Sequence, residues 1–429
     1  MKKILYTTLF SLLALSMGSC VNEVEEVFDT PASDRLEQAM LECKQLLSTP
    51  EYGWLIEYYP DENQSFGGFA YAAKFEPNGN VAVTSELAGD PSQVVTSHYS
   101  INASTSTVLT FDTYNDYIHF FSDPDDYAGN YYGGDFDWAY VKGDANRMEF
   151  RGVKTGNAIV FTALQQDIVS SIQAVITVKN EVADKLYTGF EWEVNGQVVK
   201  LYAGDTGSSL TYYPDGNTEG AYEEYPYGYT NEGISLIKPL TANGVTVQRF
   251  AWDSATETFT ATDAVSETGA PVSVTMKGWY REGFIHYDDL LGDYTLRYIS
   301  SVSGTAYTTK TVKLVENVKN ESYYIQGLHN SFPNNIRVTY SKSTSGLAID
   351  YQSIGRYNNN PAFVVCGSGH SFFTAAGTGF DLENISEEEG KIVFKFYPMG
   401  SATDIYLVYN SGGYGLIAGF YKLDTMTKK

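Results

Sequence analysis

Apolar positions along the chain follow two periods, and the change from one to the other is its first organising feature. From Pro31 to Thr49, Leu36, Met40, Cys43 and Leu47 recur at spacings of three and four, which places them on one face of a helix. Thr30 or Ser33 can cap its start, and Pro50 follows its end. Past Pro50 the period becomes two: Trp54, Ile56 and Tyr58 alternate with Leu55, Glu57 and Tyr59. Strands are predicted at Phe69–Phe75 and Val81–Thr84, flanking Glu76-Pro77-Asn78-Gly79-Asn80, a hairpin turn rich in residues that tolerate positive φ. Val108–Phe111, Ile118–Phe121, Phe136–Val141, Met148–Gly152 and Ile159–Leu164 continue the run. Tyr, Phe, Val and Thr dominate these segments, as a half-buried sheet surface prefers.

Residues 165–186 break the alternation. Ile168, Ile172, Val182 and Leu186 fit a connecting helix. A second β region follows at 187–285 and a third at 286–429, after a first at 31–164. Gly53-Trp54, Gly189-Phe190 and Gly292-Asp293-Tyr294 open the three regions alike, with a glycine before an aromatic-rich strand, which hints at a repeated antiparallel unit. Short antiparallel strands must hide their edges, and closure into a barrel does this most completely. The expected fold is therefore mainly β: antiparallel meanders forming lipocalin-like barrels or strongly curved sheets, with an N-terminal helix and one connecting helix.

The N-terminus adds an address. Lys2 and Lys3 precede an apolar run, Ile4 to Met17, that is shorter than the about 20 residues a membrane helix needs. Gly18 and Ser19 then stand directly before Cys20. Residues 1–19 read as a lipoprotein signal peptide, Cys20 as the lipidated residue, and 20–30 as an acidic tether. Attachment to a membrane is expected through that lipid alone. The net charge of −24 argues against nucleic acid, whose phosphates require Lys and Arg, and against anionic lipid. Cys43 and Cys366, far apart, make neither a disulfide framework nor a zinc site.

Catalytic signatures are sparse. The five histidines are not spaced as a metal pair on a helix, and there is no nucleophile elbow, phosphate loop or dinucleotide fingerprint. Cys366 and His370 are near in sequence, but a thiol needs its base near in space. Asp123, Asp125, Asp126, Asp135 and Asp137 crowd one segment and offer the oxygen ligands that calcium takes; capping and turn formation are the competing duties. No other cofactor is expected. The chain holds 35 tyrosines. Tyr127, Tyr131, Tyr132, Tyr212, Tyr213, Tyr225 and Tyr227 lie in loop-like stretches beside carboxylates, an arrangement that suits sugar rings or a protein partner as well as plain strand packing.

The phrases Tyr52-Gly53-Trp54, Gly67-Gly68-Phe69, Asn78-Gly79-Asn80-Val81, Phe111-Asp112-Thr113-Tyr114-Asn115, His119, Ser122-Asp123-Pro124 and Gly133-Gly134-Asp135-Phe136 resemble those of a Bacteroidota lipoprotein family described as a domain of unknown function. The resemblance covers about residues 31–164. It implies an accessory lipoprotein of outer-membrane import systems of the starch-utilisation type. The acidic residues after Cys20 resemble the signal for the cell-exterior face of the outer membrane. No functional residue carries over, because the family has no established activity. The expected function is non-enzymatic binding of a glycan, a peptide or an import-complex subunit. A carboxylate-dependent hydrolase acting on the same nutrient and a structural or adhesin-like surface protein are the alternatives.

Overall fold

The computed structural model describes residues 32–429 except 105, 124–131, 205–207, 370, 375–376, 387 and 389. The signal peptide, Cys20 and the tether at 20–30 lie outside the described residues. The chain divides into two compact units, one up to residue 173 without 65–68, the other holding 65–68 and the rest.

The first unit opens with helix α1 (Ala32–Leu47). Eight strands follow: β1 (Trp54–Tyr58), β2 (Phe69–Phe75), β3 (Asn80–Ser85), β4 (Val95–Ala103), β5 (Thr107–Phe111), β6 (Asp137–Gly143), β7 (Arg147–Gly152) and β8 (Ala158–Ala163). Each pairs antiparallel with the next, and β1 pairs with β8, so the meander closes into a barrel. Its interior is filled by rings. Trp54, Tyr58, Tyr71, Phe75, Phe111, Trp138 and Phe161 form one core, with Cys43 and Leu47 of α1 packed into it. The segment Ile118–Phe121, expected as a strand, is instead part of a short helix, α2 (Asp116–His119), and the turn after it. The Asn115 side chain accepts from the N–H groups of Tyr117 and Ile118, and this local cap overrides the β propensity of the sequence.

Helix α3 (Ile168–Lys185) connects to the second ring. Strands β9 (Gly189–Val194), β10 (Gln197–Ala203), β11 (Ser209–Tyr212), β12 (Glu223–Tyr229), β13 (Gly233–Ala242), β14 (Val245–Asp253), β15 (Thr258–Ala261) and β17 (Thr275–Trp279) pair in that order, and β17 returns to β9. The two-residue β16 (Val265–Ser266) hangs on β14. This is again an eight-stranded closed meander, of the kind lipocalins use.

The third ring is β18 (Gly292–Ile299), β19 (Tyr307–Val318), β20 (Ser322–Gln326), β21 (Arg337–Tyr340), β22 (Leu347–Asp350), β26 (Gly379–Asn384), β27 (Val393–Met399) and β29 (Tyr414–Lys428), with β29 returning to β18. It carries an extra sheet of β23 (Gln352–Tyr357), β24 (Asn360–Ser368), β25 (Ser371–Phe373) and β28 (Asp404–Asn410). Strand β29 belongs to both layers: Tyr414–Phe420 pairs with β28, and Tyr421–Lys428 pairs with β18. It bends at Lys422, where φ is +45°. The buried Asp404 carboxylate holds the bend, accepting from the N–H groups of Lys422 and Gly369 at 2.8 Å each and from the Tyr406 hydroxyl at 2.7 Å.

Each ring is entered in a related way. An aromatic donor reaches the last carbonyl of the helix before it: Trp54 Nε1 to Leu47 at 2.9 Å, the Tyr280 hydroxyl to Lys185 at 2.8 Å, and the Tyr294 hydroxyl to Leu290 at 2.8 Å, where Tyr287–Leu290 is a 3-10 turn. The orphan carbonyls of helix ends are thereby partnered. Gly53 shows why the first strand opens on glycine: its φ is +89°, and a Cβ there would stand 2.3 Å from the Ala73 carbonyl oxygen.

Candidate functional site

The tyrosine-rich stretch after β11 meets the outer face of the second barrel. Inward positions of β10, Val199 and Leu201, are buried, so Val198, Lys200 and Tyr202 face outward. Strand β11 stops pairing at Tyr212 opposite Leu201. The chain then turns through Tyr213-Pro214-Asp215-Gly216, and a cleft of about 450 Å³ opens between that turn and β10, with Asn243 of the β13–β14 turn at its end. Tyr202, Tyr212, Tyr213, Lys200, Asp215 and Gln197 line it.

Behind Tyr202 the aromatic rings are packed together. Trp279, Gly189 and Tyr202 are neighbours across β17, β9 and β10. Gly189 has no side chain to keep the two rings apart, and a Cβ there would stand 2.0 Å from the Leu201 carbonyl oxygen. Trp279 therefore lies across β9, donates from Nε1 to Leu201 at 3.1 Å, and meets Tyr202 edge-on at 5.1 Å. Tyr202 meets Tyr213 at 5.4 Å and 88°. The Lys200 ammonium sits 3.5 Å over the Trp279 ring, a cation–π contact. Burial, then the Glu223 and Asp215 carboxylates, hold the Tyr212 phenol above its ordinary value.

Of the tyrosines expected to bind a ligand, Tyr212 and Tyr213 reach the cleft. Tyr225 is buried and donates to Glu223, and Tyr227 is half-buried in β12; neither lines the cleft. Tyr132 packs beside Phe120 and Phe121 on the first barrel, and Tyr127 and Tyr131 lie outside the described residues. Lys200, Tyr202 and Trp279 were not singled out by sequence, since each reads as an ordinary outward strand position.

Of the aspartates that could offer calcium ligands, Asp123 and Asp135 have other partners. Asp135 is buried, and its carboxylate accepts from the N–H groups of Asp137 at 3.0 Å, Lys154 at 2.5 Å and Thr155 at 3.3 Å. Asp123 accepts from the Tyr114 hydroxyl at 2.7 Å. Asp137 is half-buried at the start of β6. Asp125 and Asp126 lie outside the described residues. Among the described residues no three His, Cys, Asp or Glu side chains are placed to hold a metal ion.

Nucleophile chemistry finds little support in the same geometry. Burial pushes the Cys366 thiol up to about 12, and His370 lies outside the described residues. His98 Nδ1 is 2.7 Å from Asp112, but its Nε2 lies against the Gly79 turn, where even a Cβ would be 2.4 Å away.

Residues 24–254 match the family model described as "Domain of unknown function (DUF4302)", and residues 266–409 match a second, "Domain of unknown function", DUF4987. The first match spans the first barrel and continues to the end of β14. No curated protein matches the chain. Among solved structures, the protein of "Structure and mode of action of a mosquitocidal holotoxin" is similar at 10% identity and a TM-score of 0.16, over 88% of this chain. This chain spans 50% of the length of that one, and a likeness at that TM-score carries no structural argument.

Proposed function

The chain belongs to the DUF4302 family, a domain of unknown function, and we propose its role from the geometry just described: a lipid-anchored envelope protein that binds a nutrient fragment at the second-barrel cleft without turning it over. The observation that carries this reading is the cleft itself, where the Tyr202, Tyr212 and Tyr213 rings stand beside Gln197, Lys200, Asp215 and Asn243. The volume, about 450 Å³, is in the range small-molecule sites occupy. The Gly18-Ser19-Cys20 sequence supports the lipid anchor, and the resemblance to Bacteroidota accessory lipoproteins supports an outer-membrane address and a place beside an import complex.

The test is a thermal-shift screen of the full chain against glycans, peptides and divalent cations. A ligand at 100 times its Kd adds about 2.7 kcal/mol of stability, a visible shift. A flat screen across every class would refute ligand capture and favour a protein partner. For the address, Cys20→Ser is expected to move the protein from the membrane fraction to the soluble one; retention in the membrane would refute the lipid anchor.

One observation favours a second reading. Asp215 lines the cleft, and Glu223, outside that lining, acts with it on the Tyr212 phenol, so a second carboxylate lies near the first, as hydrolysis of a glycosidic bond would need. Turnover of a bound glycan, lost in both Asp215→Asn and Glu223→Gln, would establish it.

A further inference from the structure

We infer, resting on the reading of the second-barrel cleft as a ligand site, that its ligand is a short neutral oligosaccharide rather than a peptide or an acidic glycan. Three features of the cleft lead there. The first is the pairing of its polar groups. Gln197 and Asn243 carry amides that both donate and accept, Lys200 only donates, and Asp215 only accepts. A sugar hydroxyl also donates and accepts, so a polyol can satisfy all four. A ligand with a single sign of charge would attract one of Lys200 and Asp215 and oppose the other. The net charge of −24 further disfavours an acidic ligand at long range.

The second feature is the ring geometry. Tyr202 is held by Trp279 on one side and meets Tyr213 at 88° on the other. Two half-buried rings at a right angle form a fixed corner, against which the C–H faces of a pyranose can pack at little cost in side-chain entropy.

The third feature weighs against a peptide. Extended peptides are held chiefly by main-chain bonds to a sheet edge. Strand β10 is paired with β9 along its whole length and with β11 from Leu201 onward. The flank left open is Gln197–Lys200, and strand hydrogen bonds alternate sides, so about two of these residues turn their N–H and C=O toward the cleft. That edge is too short to seat an added strand.

The experiment is calorimetric titration of the full chain with three probe sets: neutral gluco-, galacto- and manno-oligosaccharides, oligogalacturonate, and a tryptic casein digest. Tyr213→Ala, Tyr213→Phe and Asp215→Asn are run beside the wild type, with thermal melts to confirm folding; Tyr213→Phe and the exposed Asp215→Asn keep the test intact if Tyr213→Ala does not fold. The expected result is binding of a neutral oligosaccharide, weakened about tenfold or more by Tyr213→Ala, measurably weakened by Asp215→Asn and nearly retained by Tyr213→Phe, with the other probes at least about tenfold weaker. Tighter binding of oligogalacturonate or peptide, with the same dependence on residues 213 and 215, would overturn this inference and leave the cleft as a ligand site. Binding of neutral sugar that none of the three variants changes would overturn it also. If no probe of any class binds, the inference and the ligand reading beneath it both fall.

Discussion

Tyr58 and Tyr71 meet edge to face at 5.6 Å in the first barrel, yet their hydroxyls have opposite consequences. The Tyr58 hydroxyl accepts from the Asp135 N–H at 2.6 Å and donates to the Asp135 carbonyl at 3.0 Å. The Tyr71 hydroxyl is buried and has no hydrogen-bond partner among the described residues. Removing a satisfied buried hydroxyl orphans its partners, whereas removing an unsatisfied one relieves a desolvation cost. Tyr58→Phe is therefore expected to destabilise by about 1.5 kcal/mol, and Tyr71→Phe to be neutral or stabilising by up to about 1 kcal/mol, both read from denaturant unfolding. Asp135→Ala should cost more, about 3 kcal/mol, because it strips the N–H groups of Asp137, Lys154 and Thr155 of their acceptor. The Gly133-Gly134-Asp135-Phe136 phrase thus has an architectural explanation. Its sequence, dense in carboxylates, could not distinguish that duty from metal binding, because the donors that occupy Asp135 come from the next hairpin.

Among the elements, α3 has a pH-sensitive start. The N–H and hydroxyl of Ser170 hold the Asp167 carboxyl below its ordinary value. A depressed carboxyl adds stability that is complete above its unfolded value and is lost as pH falls through the folded one. Asp167→Ala is expected to lower Tm at neutral pH, with the difference from wild type shrinking as pH falls through the depressed value of the Asp167 carboxyl. A difference that persists in acid would mean the cap acts by something other than its charge. Helices α1 and α3 and most strands of the first barrel were legible because their periods are local: the spacing of Leu36 to Leu47 and the alternation from Trp54 onward need no knowledge of partners, whereas the later strands were read only as β regions. The strand Val95–Ala103 was not picked out, and Ile118–Phe121 was misread, because a single capping asparagine decided its form. For the cleft, Tyr212 and Tyr213 could be seen in the composition of their loop. Tyr202 and Trp279 could not, since they adjoin only once β17 closes onto β9 across Gly189.

The whole molecule is three closed rings in series along the chain, and buried tyrosines stand among the core residues of the first and third. Burial holds Tyr71, Tyr294, Tyr323 and Tyr406 above the ordinary phenol value. Raised values give stability that is present below the unfolded value and lost as pH rises through the folded ones. In alkali near pH ~11 the folded chain should show fewer ionised tyrosines, by near-ultraviolet absorbance, than the same chain in denaturant. Equal absorbance in the two would contradict this packing. Ring closure also orders events in time. The first barrel is complete at Ala163, well before the second begins, but the third waits for β29, whose residues Tyr421–Lys428 are its closing strand. As the chain leaves the ribosome, the first two rings can shut while the last stays open with unpaired edges, the state most exposed to aggregation and proteolysis. Closure of the third ring therefore depends on Tyr421–Lys428, and a chain stalled before them would carry an unfinished barrel, however well its first two had formed.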